Sequence, residues 1–379
     1  MKTRRDFLGT AAGAAGVLGF SLIGGRSAIG QEAPKATTPD LAKAVAFLRA
    51  RQEADGSWSG SREPGITALV VAALLRSKLV GPEDPAIVKA LGFLEKYLDE
   101  KGSPSKAPHS VYTTSVALMA FHEANVGGKY DHVVKGSQQF LRDSQYDESE
   151  GKDRTDPYYG GLGYGDGRSR PDMSNTAFMM EALRGSGVPA DDPALQKALI
   201  FVSRCQNLKS EFNDQPTTGK EGGDGGFVYN PAPQAGGGRG APGGGGGAAK
   251  KAAAPLGSSA GMTYSGLKSM IYAGLKPDDV RVKAAMDYLK KNYTLEENPG
   301  QGQRGLYYYY MVFGRALNAL GSPTFTDAEG KSHNWKADLA AALAARQQPS
   351  GAWANDNDGF MEGDPAIVTS YALLALAGK

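Results

Sequence analysis

Apolar positions along the chain follow two alternating patterns. In the first, apolar and polar residues segregate onto opposite faces at a period near 3.6. From Leu41 to Gln52, Leu41, Ala44, Val45 and Leu48 share one face and Lys43 and Arg51 the other. In the second, a run of eight or nine residues is apolar on nearly every side. Examples are Thr67 to Leu75, Thr114 to Phe121, Thr176 to Leu183 and Thr369 to Leu376. The first pattern predicts a helix half in water, the second a helix with neighbours all round. Their alternation predicts an all-α protein of two layers, with apolar helices inside and amphipathic helices shielding them.

The pairs repeat. Lys43-Ala44-x-x-Phe47-Leu48-x-x-x-Gln52 returns as Lys197-Ala198-x-x-Phe201-Val202-x-x-x-Gln206, with Phe140 and Gln145 between them. Anchors at Phe47, Phe93, Phe140, Phe201, Tyr288 and Leu343 mark six units. Gly81-Pro82, Asp191-Asp192-Pro193 and Lys276-Pro277-Asp278 fall where helices should stop. The widest gap contains Ala235 to Pro255, almost entirely Gly, Ala, Pro and basic residues, which reads as a flexible loop inside one unit. A domain boundary there fits less well, because the helical pair resumes at Thr263 to Ile271.

Composition narrows the choices. The 42 basic and 40 acidic residues leave a net charge of +2, no field for nucleic acid, and 41% hydrophobic residues are enough for a sizeable core. One cysteine, Cys205, and four histidines supply neither a disulfide nor a Cys/His zinc set, and no motif calls for a cofactor. Thr3-Arg4-Arg5-Asp6-Phe7-Leu8, an apolar stretch to Ile23 and a small-x-small site at Ala28-Ile29-Gly30 read as a twin-arginine export signal over residues 1–30. The mature chain, 31–379, is then one domain acting in the periplasm or beyond, with no transmembrane anchor.

Lys43-Ala44-x-x-Phe47-Leu48-x-x-x-Gln52-x-x-x-Gly56-x-Trp58, with a partial copy at Gln347-x-x-x-Gly351-x-Trp353, resembles the QW motif of the prenyltransferase/squalene oxidase repeat family. That family includes the squalene-hopene and oxidosqualene cyclases and is related in fold to protein prenyltransferase β subunits. The resemblance covers Leu41 to Leu376. It implies an (α/α)6 toroid, six inner and six outer helices, around a deep apolar cavity open at one end. In this setting Gln52 and Trp58 read as glue, the glutamine satisfying orphan donors of the next helix and the tryptophan stacking on it.

The resemblance also implies a chemistry. The cyclases protonate an alkene or epoxide with the middle carboxyl of Asp-x-Asp-Asp-Thr-Ala, and the matching segment here is Asp172-Met173-Ser174-Asn175-Thr176-Ala177. A serine hydroxyl is far too weak an acid for that step. Asp172 remains as the catalytic candidate, although an acidic residue at a helix start is equally a cap, as Glu63 and Asp364 would be. The zinc ligands of the prenyltransferases have no counterpart between Gly225 and Leu267. Asn355-Asp356-Asn357-Asp358-Gly359 lacks the closing glutamate of a calcium loop.

Tyrosines crowd the segments entering the inner helices. Tyr159, Tyr164, Asn175, Tyr229, Tyr264, Tyr308 and Tyr309 are the candidate ligand-binding residues, with packing at a wet helix end as the plain alternative. Three functions are compatible with these features. One is a terpenoid-cyclase-like toroid binding an apolar, isoprenoid-like small molecule without the family's acid. Another is a non-catalytic module for a protein partner. The third is a carbohydrate-active (α/α)-barrel enzyme.

Overall fold

The protein is described from a computed structural model covering residues 38–165, 169–232 and 257–378. Residues 1–30, read above as an export signal, and the Gly-rich tract 235–255 lie outside them. Ala36–Lys379 form one compact unit.

Twelve α-helices run through the described residues, alternating outer and inner. The outer helices are α1 (Leu41–Ala50), α3 (Pro85–Glu95), α5 (Asp131–Asp143), α7 (Pro193–Arg204), α9 (Val280–Lys291) and α11 (Trp335–Arg346). The inner ones are α2 (Pro64–Arg76), α4 (Ser110–Glu123), α6 (Met173–Gly185), α8 (Ala260–Tyr272), α10 (Leu306–Leu320) and α12 (Pro365–Leu376). Each inner helix packs on the next, and α12 packs back on α2, so the ring closes. Each outer helix from α3 on sits against the inner helix before it, and α1 sits against α12. This is the all-α, (α/α)6 toroid expected. A short hairpin, β1 (Phe325–Thr326) with β2 (Ser332–His333), interrupts it between α10 and α11.

The boundaries follow from capping. Asp84, Asp192 and Asp364 each accept a hydrogen bond from the second residue of the helix they open, and proline stands at the first position of all three. The inner helices are buried along nearly their whole length; all thirteen residues of α2 are buried.

Four glutamines lock neighbouring units. The side-chain Nε2 of Gln52 donates to the carbonyls of Gly56 (3.0 Å) and Ala86 (2.8 Å) in the first turn of α3. Gln145 does the same to Gly160 and Ala194, and Gln206 to Gly225 and Arg281. Gln347 donates to Gly351 and Asp40 and accepts from the Asp40 amide (2.7 Å), joining the last unit to the first. At three of the four seams the bond thus runs opposite to the expected one: the amide feeds carbonyls instead of receiving orphan N–H groups. The tryptophans bond their own outer helix. Trp58 donates to Leu48 and Trp353 to Leu343.

In four of the six units a threonine fixes the rotation of the inner helix. The hydroxyls of Thr67, Thr176, Thr263 and Thr369 accept the backbone N–H of Trp58, Leu162, Phe227 and Trp353. In the second unit Pro104 holds the equivalent position, spaced two residues past Gly102 as Trp58 is past Gly56, and proline has no N–H to give. The Thr114 hydroxyl is accordingly buried without a partner. Replacing it by the isosteric Thr114→Val should leave stability unchanged or raise it slightly. Thr176→Val, which strands the Leu162 amide, should cost about 1–2 kcal/mol. Urea unfolding of the two variants side by side checks this contrast.

Candidate functional site

Because the shared threonines face their loops, residues two before and two after them turn toward the ring axis, one helical turn apart. The first inward layer contains Tyr112 and Ser174, and the second Phe178, Ser265 and Tyr371. Tyr308, in the first turn of α10, completes the first layer.

Side chains of these layers cross the throat. Ser174 Oγ donates to Tyr308 Oη (3.2 Å), and Tyr308 Oη and Ser265 Oγ share a hydrogen bond of 3.1 Å, linking α6, α10 and α8. The Phe178 ring meets Tyr112 edge-on at 5.6 Å and Tyr308 at 6.4 Å, and Tyr308 meets Tyr371 at 5.9 Å. Burial raises the Tyr112 phenol, and the neighbouring Tyr371 hydroxyl opposes that rise. Gly65 on α2 makes the space: a Cβ there would stand 2.8 Å from the Tyr112 ring.

Asp172 caps α6 beside this cluster. Its Oδ1 accepts from the Asn175 amide (2.9 Å) and its Oδ2 from Asn175 Nδ2 (2.8 Å). Burial raises its carboxyl to about 6, against the lowering effect of the Asn175 bonds and the Tyr229 hydroxyl. Burial also raises the Tyr164 phenol, against the lowering effect of the Tyr229 and Asn175 side chains. The Tyr164 ring packs against His109 at 5.4 Å, whose left-handed backbone (φ 50°) caps α4. Glu362 is fully buried and accepts from the Tyr308 amide (2.7 Å) and from Asn355. It arrives through Phe360 and Met361, two non-glycine residues at φ near 60°, a local strain anchored by Arg304 over the Phe360 ring.

Of the candidate residues, Asp172, Tyr164, Asn175, Tyr229 and Tyr308 converge at the inner-helix N-termini. Tyr159, Tyr264 and Tyr309 lie apart. The Tyr159 hydroxyl donates to Glu148 (2.7 Å) in the loop before α6. Tyr264 packs against Phe313 and Tyr309, and Tyr309 donates to the Thr294 carbonyl (2.6 Å). Tyr112, Phe178, Ser265, Tyr371, His109 and Glu362 belong to the cluster and escaped the sequence reading. Counting from each unit's threonine would have found the first four; Glu362 arrives from a distant loop, with no local signal.

The resemblance implied a deep cavity, whereas side chains fill the axis below the first layer. In the second layer the register places Leu69, Val116, Ser265 and Val312 inward, and all are buried to 1% exposure or less. Below them, about 10 Å from Ser174 along α6, the barrel is crossed by charges. Glu181 Oε1 accepts from Arg76 Nη1 (3.0 Å) and Arg315 Nε (2.9 Å), and its Oε2 from Lys268. Arg76 also binds Glu123 (3.0 Å). Burial pushes Glu181 up, but Lys268, Arg315 and Arg76 outweigh it and hold the carboxyl well below its usual range. Three cations against two carboxylates suit this end, where the negative poles of the inner helices converge.

Other sequence features resolve as structure. Asn355 and Asn357 spend their side-chain oxygens on the amides of Asn357 and Gly359, which makes the acidic loop a turn. Cys205 is a free, buried thiol of the core. Among the described residues no three His, Cys, Asp or Glu side chains are grouped to hold a metal ion, and no helix is long and apolar enough to cross a membrane.

The chain is similar in structure to the type II terpene cyclase MstE from Scytonema, at 14% identity and a TM-score of 0.50, over 89% of this chain and 96% of that one. A tyrosine-to-phenylalanine variant of the enzyme gives 14% and 0.52 over 89% and 94%. An arginine-to-alanine variant in complex with geranylgeranyl dihydroxybenzoate, its substrate, gives 14% and 0.51 over 89% and 95%. The fold is terpene-cyclase-like. No protein family and no curated protein matches the sequence.

Proposed function

We propose that the protein is an exported member of the prenyltransferase/squalene oxidase repeat group, a single toroidal domain from residue 31 onward, whose mouth binds an apolar, isoprenoid-like ligand and does not start its cyclisation. One observation carries the second half of this reading. The side chain at the position of the cyclases' acid is Ser174, and its proton is engaged with the Tyr308 oxygen. A hydroxyl there cannot protonate an alkene. Asp172, the remaining carboxyl, has both oxygens tied to Asn175 and serves as the cap of α6.

For the apolar ligand, the support is the ring of aromatic faces at the throat, together with a structural neighbour that holds a geranylgeranyl group. A glycan-cleaving site needs two carboxylates free to act across a cleft. Asp172 and Glu362 are instead engaged at helix N-termini. Lipid extracted from protein purified out of its native export compartment, analysed by mass spectrometry, should contain an isoprenoid. Incubation of the same protein with squalene should yield no cyclic product by gas chromatography. An empty extract would overturn the binding reading, and a cyclic triterpene the non-catalytic one.

A further inference from the structure

The hydroxyls of the throat form a chain. Ser174 Oγ gives its single proton to Tyr308 Oη. Tyr308 Oη shares a second hydrogen bond with Ser265 Oγ, in which either oxygen can donate. The outer end of the chain is therefore Ser174 Oγ, an oxygen with its proton committed and its lone pairs free. Ser174 is half-buried at the mouth, whereas Ser265 is fully buried.

A second acceptor stands beside the first. Asn175 is 2% exposed, its Nδ2 donates to Asp172, and its Oδ1 has no hydrogen-bond partner. Of the two oxygens, the one left open to the mouth is that of Ser174, since Asn175 is already buried against Asp172. An alkene or a saturated hydrocarbon would seal it in without compensation, which is costly for a buried polar atom. Where an acid at this position would give a proton to its ligand, the serine awaits one.

We propose that the ligand of the mouth is an isoprenoid alcohol, whose hydroxyl donates to Ser174 Oγ while its chain lies on the Tyr112, Phe178 and Tyr371 rings. This rests on the mouth being the ligand site, as proposed above. The same geometry disfavours ethers and hydrocarbons of equal size, because neither brings a donor.

The test compares farnesol, farnesyl methyl ether and the hydrocarbon farnesane, titrated into the full chain and read by native mass spectrometry. Farnesol should bind about tenfold more tightly than its methyl ether, since a site built around a substrate hydroxyl rejects the analogue lacking it. Ser174→Ala should bring the two within about twofold of each other and leave farnesane unchanged, and Ser174→Thr should restore the preference. A thermal melt of each variant shows that it is folded. Equal binding of all three ligands, or a preference that survives Ser174→Ala, overturns the inference while leaving the apolar site intact. Binding of none of the three overturns the apolar site itself.

Discussion

Glu181→Gln should destabilise the protein by ~3–5 kcal/mol, the range found when one partner of a buried ion pair is removed. The carboxylate is the common partner of Arg76, Lys268 and Arg315, all nearly solvent-free. Without it three cations face one another across the barrel with only the peripheral Glu123 to balance them. Thermal unfolding should fall by roughly 5–10 °C. The wild-type protein should hold this contribution at any pH above the ordinary glutamate value of about 4.3 and lose it only below, as the depressed Glu181 titrates.

The variant should behave differently at high pH. Burial already lowers Lys268, opposed by Glu181, and without that carboxylate it falls further. A lysine whose folded value lies below its unfolded one binds fewer protons in the folded state, so stability rises with pH until both forms are neutral. The deficit of Glu181→Gln should therefore shrink between neutrality and about pH 10. The double variant Glu181→Leu with Lys268→Met should recover part of the loss even at pH 7, since it removes one of the three stranded charges along with their partner. Urea midpoints at pH 5, 7 and 9.5 check this; a deficit independent of pH would mean that water already solvates the layer.

These layers explain which parts of the molecule were legible in the sequence. The helical pairs were, because burial all round and burial on one face leave different periodicities, and α2 and α1 display them plainly. Ring closure was not: whether α12 meets α2 depends on the small rotation between successive units, which no local pattern encodes. Site residues were readable only where the helix phase was known. Tyr308 and Tyr309 are adjacent tyrosines of one run, yet the former bonds Ser174 across the axis and the latter bonds Thr294 outside it. Residues one apart on a helix differ in direction by about 100°, so a cluster of tyrosines names a neighbourhood and not a site. The charged floor went unread for a related reason. Glu181, Lys268 and Arg315 are isolated charged residues in three largely apolar helices, 47 or more positions apart in the chain, and only the closed ring brings them together.

The seam that closes the ring should be among the most sensitive backbone positions of the fold. Gly351 holds φ at +89°, and a Cβ on it would stand 2.5 Å from the Lys43 carbonyl carbon and 2.6 Å from the carbonyl oxygen. Gly187 has nearly the same backbone, φ +93°, with nothing within 4 Å of its notional Cβ. Gly187→Ala should therefore cost only the left-handed penalty of about 1–2 kcal/mol. Gly351→Ala carries that penalty and must also push α1 away from its seat, weakening the three hydrogen bonds Gln347 makes to Asp40 and Gly351. At about 1 kcal/mol for each bond lost, the total should reach roughly 3–5 kcal/mol. Hydrogen exchange should locate the difference. In Gly351→Ala the amides of Leu41–Ala50 should lose protection before those of α4 or α6, because α1 is held to the last unit through this contact. Equal costs for the two variants would show that the first and last units slide freely, and that the ring is held shut by the apolar contact of α12 with α2 alone.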